Sequence, residues 1–158
     1  MIVVADSSTL IGLARIGKLS LLSELYGRVL IPKAVYDEVV GSGRPGSENA
    51  KMAEYLVVKE VKDEVAVELL LSSFGRGEAE VLTPAREVGA DVVLVDEKKA
   101  RKSARRAGFE VLGVLGMLVT AKKRGLIPYV RPFIEKLCES GFRLSEGVIE
   151  RTLREAGE

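Results

Sequence analysis

Two short aliphatic runs in this chain each end in an aspartate: I-V-V-A-Asp6 (2–6) and V-V-L-V-Asp96 (92–96). A run of four apolar residues with no polar alternation reads as a strand buried on both faces. Such strands need a covering layer on each side, which constrains the chain to a parallel sheet enclosed by helices. The intervening segments agree with an α/β fold. R-V-L-I-P (28–32) reads as a second strand stopped by Pro32, and P-K-A-V-Y-D-E-V-V-G (32–41) as a helix with proline in its first turn and Gly41 after its end. The apolar 10–26 region is expected to form a helix, and the stretch from the 41–46 loop to about residue 73 to be helical or mixed, with Y-L-V-V-K-E-V (55–61) as a strand candidate within it. G-E-A-E-V-L-T-P-A-R-E-V-G (77–89) reads as a helix, E-K-K-A-R-K-S-A-R-R-A-G (97–108) as a helix ending at Gly108, and F-E-V-L-G (109–113) as a short strand. The remainder to residue 158 reads as mostly helical, and G-S-G-R-P-G (41–46) as a flexible loop.

A length of 158 residues suits one domain with a sizeable core. The formal net charge is +1, so nucleic-acid binding requires a local patch rather than a polycationic chain. Asp6 interrupts the opening apolar stretch, which therefore does not read as a signal peptide, and no run reaches membrane-spanning length. Cys138 is the only cysteine, so there is no disulfide framework, and its spacing from Ile134 and Leu137 places it in the core. These features imply a cytoplasmic protein.

The chain contains no histidine, which removes histidine-based triads, imidazole bases and histidine-ligated zinc. Chemistry must rest on carboxylates, hydroxyls, lysine or a hard metal ion. Glutamine is also absent and Asn49 is the only asparagine, a depletion of thermolabile amides that suggests a thermophilic host.

In open parallel sheets ligands bind at the carboxyl ends of strands, near the point where strand order reverses. Asp6 and Asp96 both stand there. Each has a structural explanation as the cap of the following helix; two together at one edge suggest a site. At about 100° per residue, Glu38 falls between Ala34 and Val35 on the apolar side of its helix, and Glu78 shares an arc with Val81, Leu82, Ala85 and Val88. An inward carboxylate needs compensation, by a buried cation in the structural reading. Asp6, Glu38, Glu78 and Asp96 in one cleft would raise one another's pKa. A hard ion with oxygen ligands relieves that repulsion, and Mg²⁺ or Mn²⁺ suits a histidine-free site. Ser7, Ser8 and Thr9 are expected to cap the next helix, with a hydroxyl such as Ser7 or Ser8 also able to orient a water beside the metal.

Lys98, Lys99, Arg101, Lys102, Arg105 and Arg106 share a broad helix face opposite Ala100, Ser103, Ala104 and Ala107. A solvated face explains such a stripe, yet Lys98 and Lys99 stand in the first turn, where the helix macrodipole disfavours cations. That cost beside Asp96 fits a surface for a phosphate backbone, and Lys122, Lys123 and Arg124 extend it. Dinucleotide and P-loop fingerprints are absent: no G-x-G-x-x-G follows the first strand, and G-S-G-R-P-G lacks the Lys-Ser/Thr pair.

A-D-S-S-T-L-I, L-I-P-K-A-V-Y-D-E-V-V, G-E-A-E-V-L and V-V-L-V-D-E-K-K-A-R-K-S-A-R, in that order, resemble the PIN-domain family. The resemblance is closest to prokaryotic VapC-like PIN proteins with a D-S-S opening and a G-E-A-E helix start. It implies a three-layer α/β/α fold with a central parallel sheet, organised as a single domain over 1–158 with a core to about residue 125 and a C-terminal helical extension over 126–158. It also implies an Mg²⁺- or Mn²⁺-dependent ribonuclease, endonucleolytic on single-stranded RNA, in which Asp6, Glu38, Glu78 and Asp96 match the acidic quartet. Toxin–antitoxin pairing and a homodimer follow from the same resemblance. Pro84 departs from it, because a proline inside the helix that carries Glu78 predicts a kink downstream of that residue. A PIN-fold module that binds RNA or protein without turnover is the alternative from another class. A haloacid-dehalogenase-type phosphatase is a further one, although Ser8 stands where its second aspartate belongs. The amphipathic 145–156 segment, with Ile149 and Leu153 four residues apart, packs either within the chain or against a second copy.

Overall fold

The computed structural model describes residues 1–41, 54–60, 82, 85, 86 and 88–158. Of the loop expected over 41–46, Gly41 is instead the last residue of a helix; the rest of it, most of the helix expected over 77–89, and with it Glu78 and Pro84, lie outside the described residues. Five parallel strands run in the order β3-β2-β1-β4-β5: β1 (Val3–Ala5), β2 (Val29–Pro32), β3 (Leu56–Lys59), β4 (Val92–Leu94) and β5 (Glu110–Leu112). The helices described are α1 (Ser7–Arg15), α2 (Leu21–Tyr26), α3 (Lys33–Gly41), α4 (Lys98–Arg106), α5 (Val114–Lys123), α6 (Arg131–Glu139) and α7 (Glu146–Glu155). The strands β1, β2 and β3 step outward one way and β4 to β5 the other. Right-handed crossovers therefore place α1 and α3 on one face and α4 on the opposite one, giving the three-layer α/β/α fold.

The apolar runs form strands for the reason their composition implies. All three residues of β1 and all three of β4 are buried, as strands covered on both faces must be. Register pairs Val3 with Val92, Val4 with Val93 and Ala5 with Leu94. The two strands thus finish level, and the two aspartates leave the sheet at the same edge. Leu82 and Ala85 are buried and Val88 packs on the core, the inward arc expected for their segment.

Three expectations change. The 10–26 region is two helices, not one: α1 ends at Arg15 with Ile16 as its C-cap, the chain turns at Gly17 (φ 68°), and α2 begins at Leu21. Cys138 is exposed, because the buried stripe of α6 runs through Ile134 and Leu137 and the next residue is turned about 100° away from it. In α7 Leu153 is buried and Ile149 packs partly on the core, so that apolar stripe is used within the chain. The Glu158 carboxylate fastens this region by accepting from the Val130 amide (2.7 Å), the Arg131 amide (3.3 Å) and Lys122 Nζ (3.1 Å). Two of those donors lie at the start of α6, where a negative charge is favoured. No helix among the described residues is long and apolar enough to cross a membrane.

Leu118 in α5 has no exposed surface, whereas Leu126 is 37% exposed. Leu118→Ala is expected to lower the unfolding free energy by about 2–5 kcal/mol, and Leu126→Ala to change it by no more than about 0.5 kcal/mol. Equilibrium urea unfolding of both variants checks this.

Candidate active site at the β1–β4 edge

The β1–β4 boundary is the switch point of the sheet, since β1 has β2 on one side and β4 on the other. The Asp6 amide extends the ladder by donating to Leu94 O (3.0 Å), which brings Asp6 beside the end of β4. Asp6 is the N-cap of α1: its Oδ1 accepts from the Thr9 amide (3.0 Å) and its Oδ2 from Ser8 Oγ (2.8 Å). Asp96 does not cap α4, whose N-cap is Glu97. Its Oδ1 instead accepts from the Val114 amide, the first of α5, at 3.0 Å, and its Oδ2 from Thr9 Oγ1 at 2.7 Å. Thr9 therefore joins the two carboxylates, its backbone amide serving one and its hydroxyl the other.

The three hydroxyl residues do not act as caps, because all three lie inside α1 and Asp6 takes the cap position. Ser8 and Thr9 turn their hydroxyls onto the carboxylates instead. Thr9, fully buried, is the residue that sequence reasoning missed as a partner of both aspartates. The signal was present as D-x-x-T, a threonine at the third helical position after a capping aspartate. Gly113 was missed as well. A Cβ built there would stand 2.7 Å from Asp96 Oδ1, so only glycine lets the start of α5 approach that carboxylate.

Burial dominates the electrostatics. Asp6 is 3% exposed, and burial pushes its carboxyl up to about 7; the Thr9 amide opposes this, the Asp96 charge adds to it, and the Ser8 and Thr9 hydroxyls oppose it. Asp96 is raised too, by burial, against the lowering effects of the Val114 amide, the Thr9 hydroxyl and the charge of Arg101. Both carboxylates face helix N-termini, a favourable setting for negative charge, and desolvation still outweighs it.

Glu38 differs from its expected setting. The buried stripe of α3 runs through Val35 and Val39, leaving Glu38 about 80° off its centre, and Glu38 is exposed. The phase estimate erred by weighting Ala34, which is only half-buried. The helix that bears Glu38 does pack against α1. Among the described residues, no three acidic, cysteine or histidine side chains are grouped closely enough to hold a metal ion. The structure thus brings Asp6 and Asp96 together, leaves Glu38 at the solvent-facing flank of α3, and does not describe Glu78.

The basic helix α4 buries Ala100 and Ala104 and exposes Lys98, Lys99, Lys102, Arg105 and Arg106, with Arg101 half-buried. Its start lies two residues after Asp96. Two carboxylates presenting only oxygen donors, each made reluctant to ionise by burial, fit a hard divalent cation.

The raised Asp6 carboxyl has a consequence for folding. The unfolded chain releases that proton near pH 3.8 and the folded chain near pH 7, so between the two the folded state binds more protons. In a chelator-containing buffer, stability is expected to fall as pH rises from about 4 to about 7. Asp6→Asn keeps an acceptor for the Thr9 amide without the charge and should flatten that slope. Thermal unfolding across this range tests it, and an unchanged slope in the variant would place the responsible group elsewhere.

A family model described as DUF3368, a PIN domain, matches residues 2–158. No curated protein matches the chain. PIN domains are generally metal-dependent nucleases, and both the parallel order β3-β2-β1-β4-β5 and the aspartates at its switch point accord with that match. The chain belongs to the PIN-domain family.

Proposed function

We propose that this PIN domain, a single domain over 1–158 with its C-terminal helices from about 126, is a ribonuclease that cuts single-stranded RNA internally and depends on Mg²⁺ or Mn²⁺. The observation that carries the reading is the Asp6–Asp96 pair, Asp6 buried and Asp96 half-buried, both raised in pKa and joined through Thr9 at the sheet's switch point. Asp6 and Asp96 would hold the ion, with Glu38 and Glu78 supplying further carboxylates. A divalent ion, when bound, activates water and stabilises the charge of a phosphodiester under in-line attack. Thr9 and Ser8 keep the aspartate oxygens oriented, Ser7 stands beside them at the start of α1, and the exposed cations of α4 guide the RNA backbone toward Asp96. The resemblance to VapC-like toxins adds an antitoxin partner, a homodimer and a cytoplasmic setting; the amide-poor composition adds a hot host.

The exposed position of Glu38 favours a second reading, a PIN-fold module that binds RNA or protein without turnover. A dehalogenase-type phosphatase has less support, since Ser8, at the place of the second aspartate, donates its hydroxyl to Asp6.

The test is cleavage of a mixed single-stranded RNA pool with Mn²⁺ or Mg²⁺ at elevated temperature. Asp6→Asn and Asp96→Asn should each lower turnover by roughly 10²-fold or more while remaining folded, and chelator should abolish it. Binding without cleavage by the wild-type protein would favour the non-catalytic module. Thr9→Val removes the hydroxyl from Asp96 and should weaken Mn²⁺ binding by about 10–100-fold, read by calorimetry. Unaltered affinity would separate Thr9 from the metal site.

A further inference from the structure

A cavity of about 360 Å³ opens beside Asp96, between the start of α4 and the segment that joins α6 to α7. That volume falls within the range of small-ligand pockets, roughly 300–1,000 Å³. Its charged wall is Lys98 and Arg101 from α4 and Arg143 from the joining segment; its apolar wall includes Phe142 and Leu144. Among the described residues, none of these three cations makes an ion pair. The Arg101 Nε is buried and has no hydrogen-bond partner among the described residues. An unsatisfied buried guanidinium nitrogen is costly and would gain from an incoming acceptor such as a phosphate oxygen. Among the described residues lining the cavity Asp96 is the only acidic one, so their summed charge is positive even with Asp96 ionised.

The local fold holds Arg143 at this wall. Helix α6 ends with the Gly141 amide bonded to Cys138 O (3.1 Å) and the Phe142 amide to Leu137 O (3.0 Å), a closure that needs the left-handed backbone of Gly141 (φ 95°). Phe142 then seats against Gly12 of α1: a Cβ there would come within 3.2 Å of its ring. Arg143 follows directly, and Ser145 caps α7 by accepting from the Val148 amide.

We infer that this cavity is a nucleotide subsite for the RNA strand, in which Lys98, Arg101 and Arg143 receive a backbone phosphate adjoining the one placed at Asp96, and Phe142 and Leu144 face the sugar or base. Arginine forks match phosphate oxygens, and the apolar wall suits the flat face of a base. The C-terminal helices, remote in sequence from both aspartates, thus supply a substrate-positioning residue. The choice of an RNA strand rests on the nuclease reading, whereas the affinity for phosphate rests on the cavity alone.

The experiment is fluorescence anisotropy of a labelled ten-nucleotide single-stranded RNA with the full chain in chelator, where no cleavage occurs. Arg143→Ala and Lys98→Ala should each weaken binding about tenfold and lower the slope of log affinity against log salt by about 0.7. Arg28→Ala, an exposed cation before β2 at the opposite end of the sheet, should change neither. An Arg143→Ala protein that behaves like Arg28→Ala, or a wild-type chain that does not bind RNA, overturns the subsite. Unlabelled 5′-AMP is the second arm. It should compete at least tenfold more weakly than unlabelled RNA; equal potency makes this a mononucleotide pocket and overturns the strand assignment. A selective loss in Arg143→Ala from a chain inert toward RNA with Mn²⁺ leaves the subsite standing and sinks the nuclease, and active cleavage with unaltered binding does the reverse.

Discussion

The hydrogen bonds of Thr9 hold the β1–β4 edge of this protein together. Its amide is fixed by the capping carboxylate of Asp6 and its hydroxyl by Asp96, residues 90 positions apart in the chain that meet because β1 and β4 pair in register. The Val114 amide adds α5 to the same carboxylate, and Gly113 permits that approach. One buried threonine and one absent side chain therefore decide how two strands and two helices converge on a common point.

That convergence works against stability at neutral pH. Two acidic groups are taken out of water near each other, and the donors around them only partly offset the loss of hydration, so both carboxyls are raised. The surrounding apolar core tolerates the arrangement: Val3, Val4, Ala5, Val93 and Leu94 are almost wholly enclosed. PIN domains generally use divalent metal ions, and a bound cation would offset such a cost. The cavity beside it carries the opposite charge, with Lys98, Arg101 and Arg143 on its wall and the Arg101 Nε without a hydrogen-bond partner among the described residues.

Much of the architecture was legible because the strands are aliphatic on both faces and the helices carry their own stops. I-V-V-A and V-V-L-V announce central strands, Pro32 and Gly108 punctuate the elements beside them, and the alternation of strand and helix leaves little besides a parallel sheet. Helical phase served less well where the apolar stripe was short. In α3 only Val35 and Val39 are buried, so an estimate centred on Ala34 displaced Glu38 inward. In α6 the same uncertainty put Cys138 inside when it is exposed. The 10–26 region read as one helix, yet the chain turns at Gly17.

By itself the sequence determined the parallel α/β class, the placement of Asp6 and Asp96 at strand ends, and a set of side chains without histidine. Each follows from residue type and short-range spacing. The tertiary structure alone decided that Asp96 is bound by the start of α5 rather than by its own helix, that Thr9 serves both aspartates, and that Arg143 lies across a cavity from Lys98 and Arg101. Those relations depend on strand order and on how α1, α5 and α6 pack, and no local pattern encodes a contact between residues so far apart in the chain.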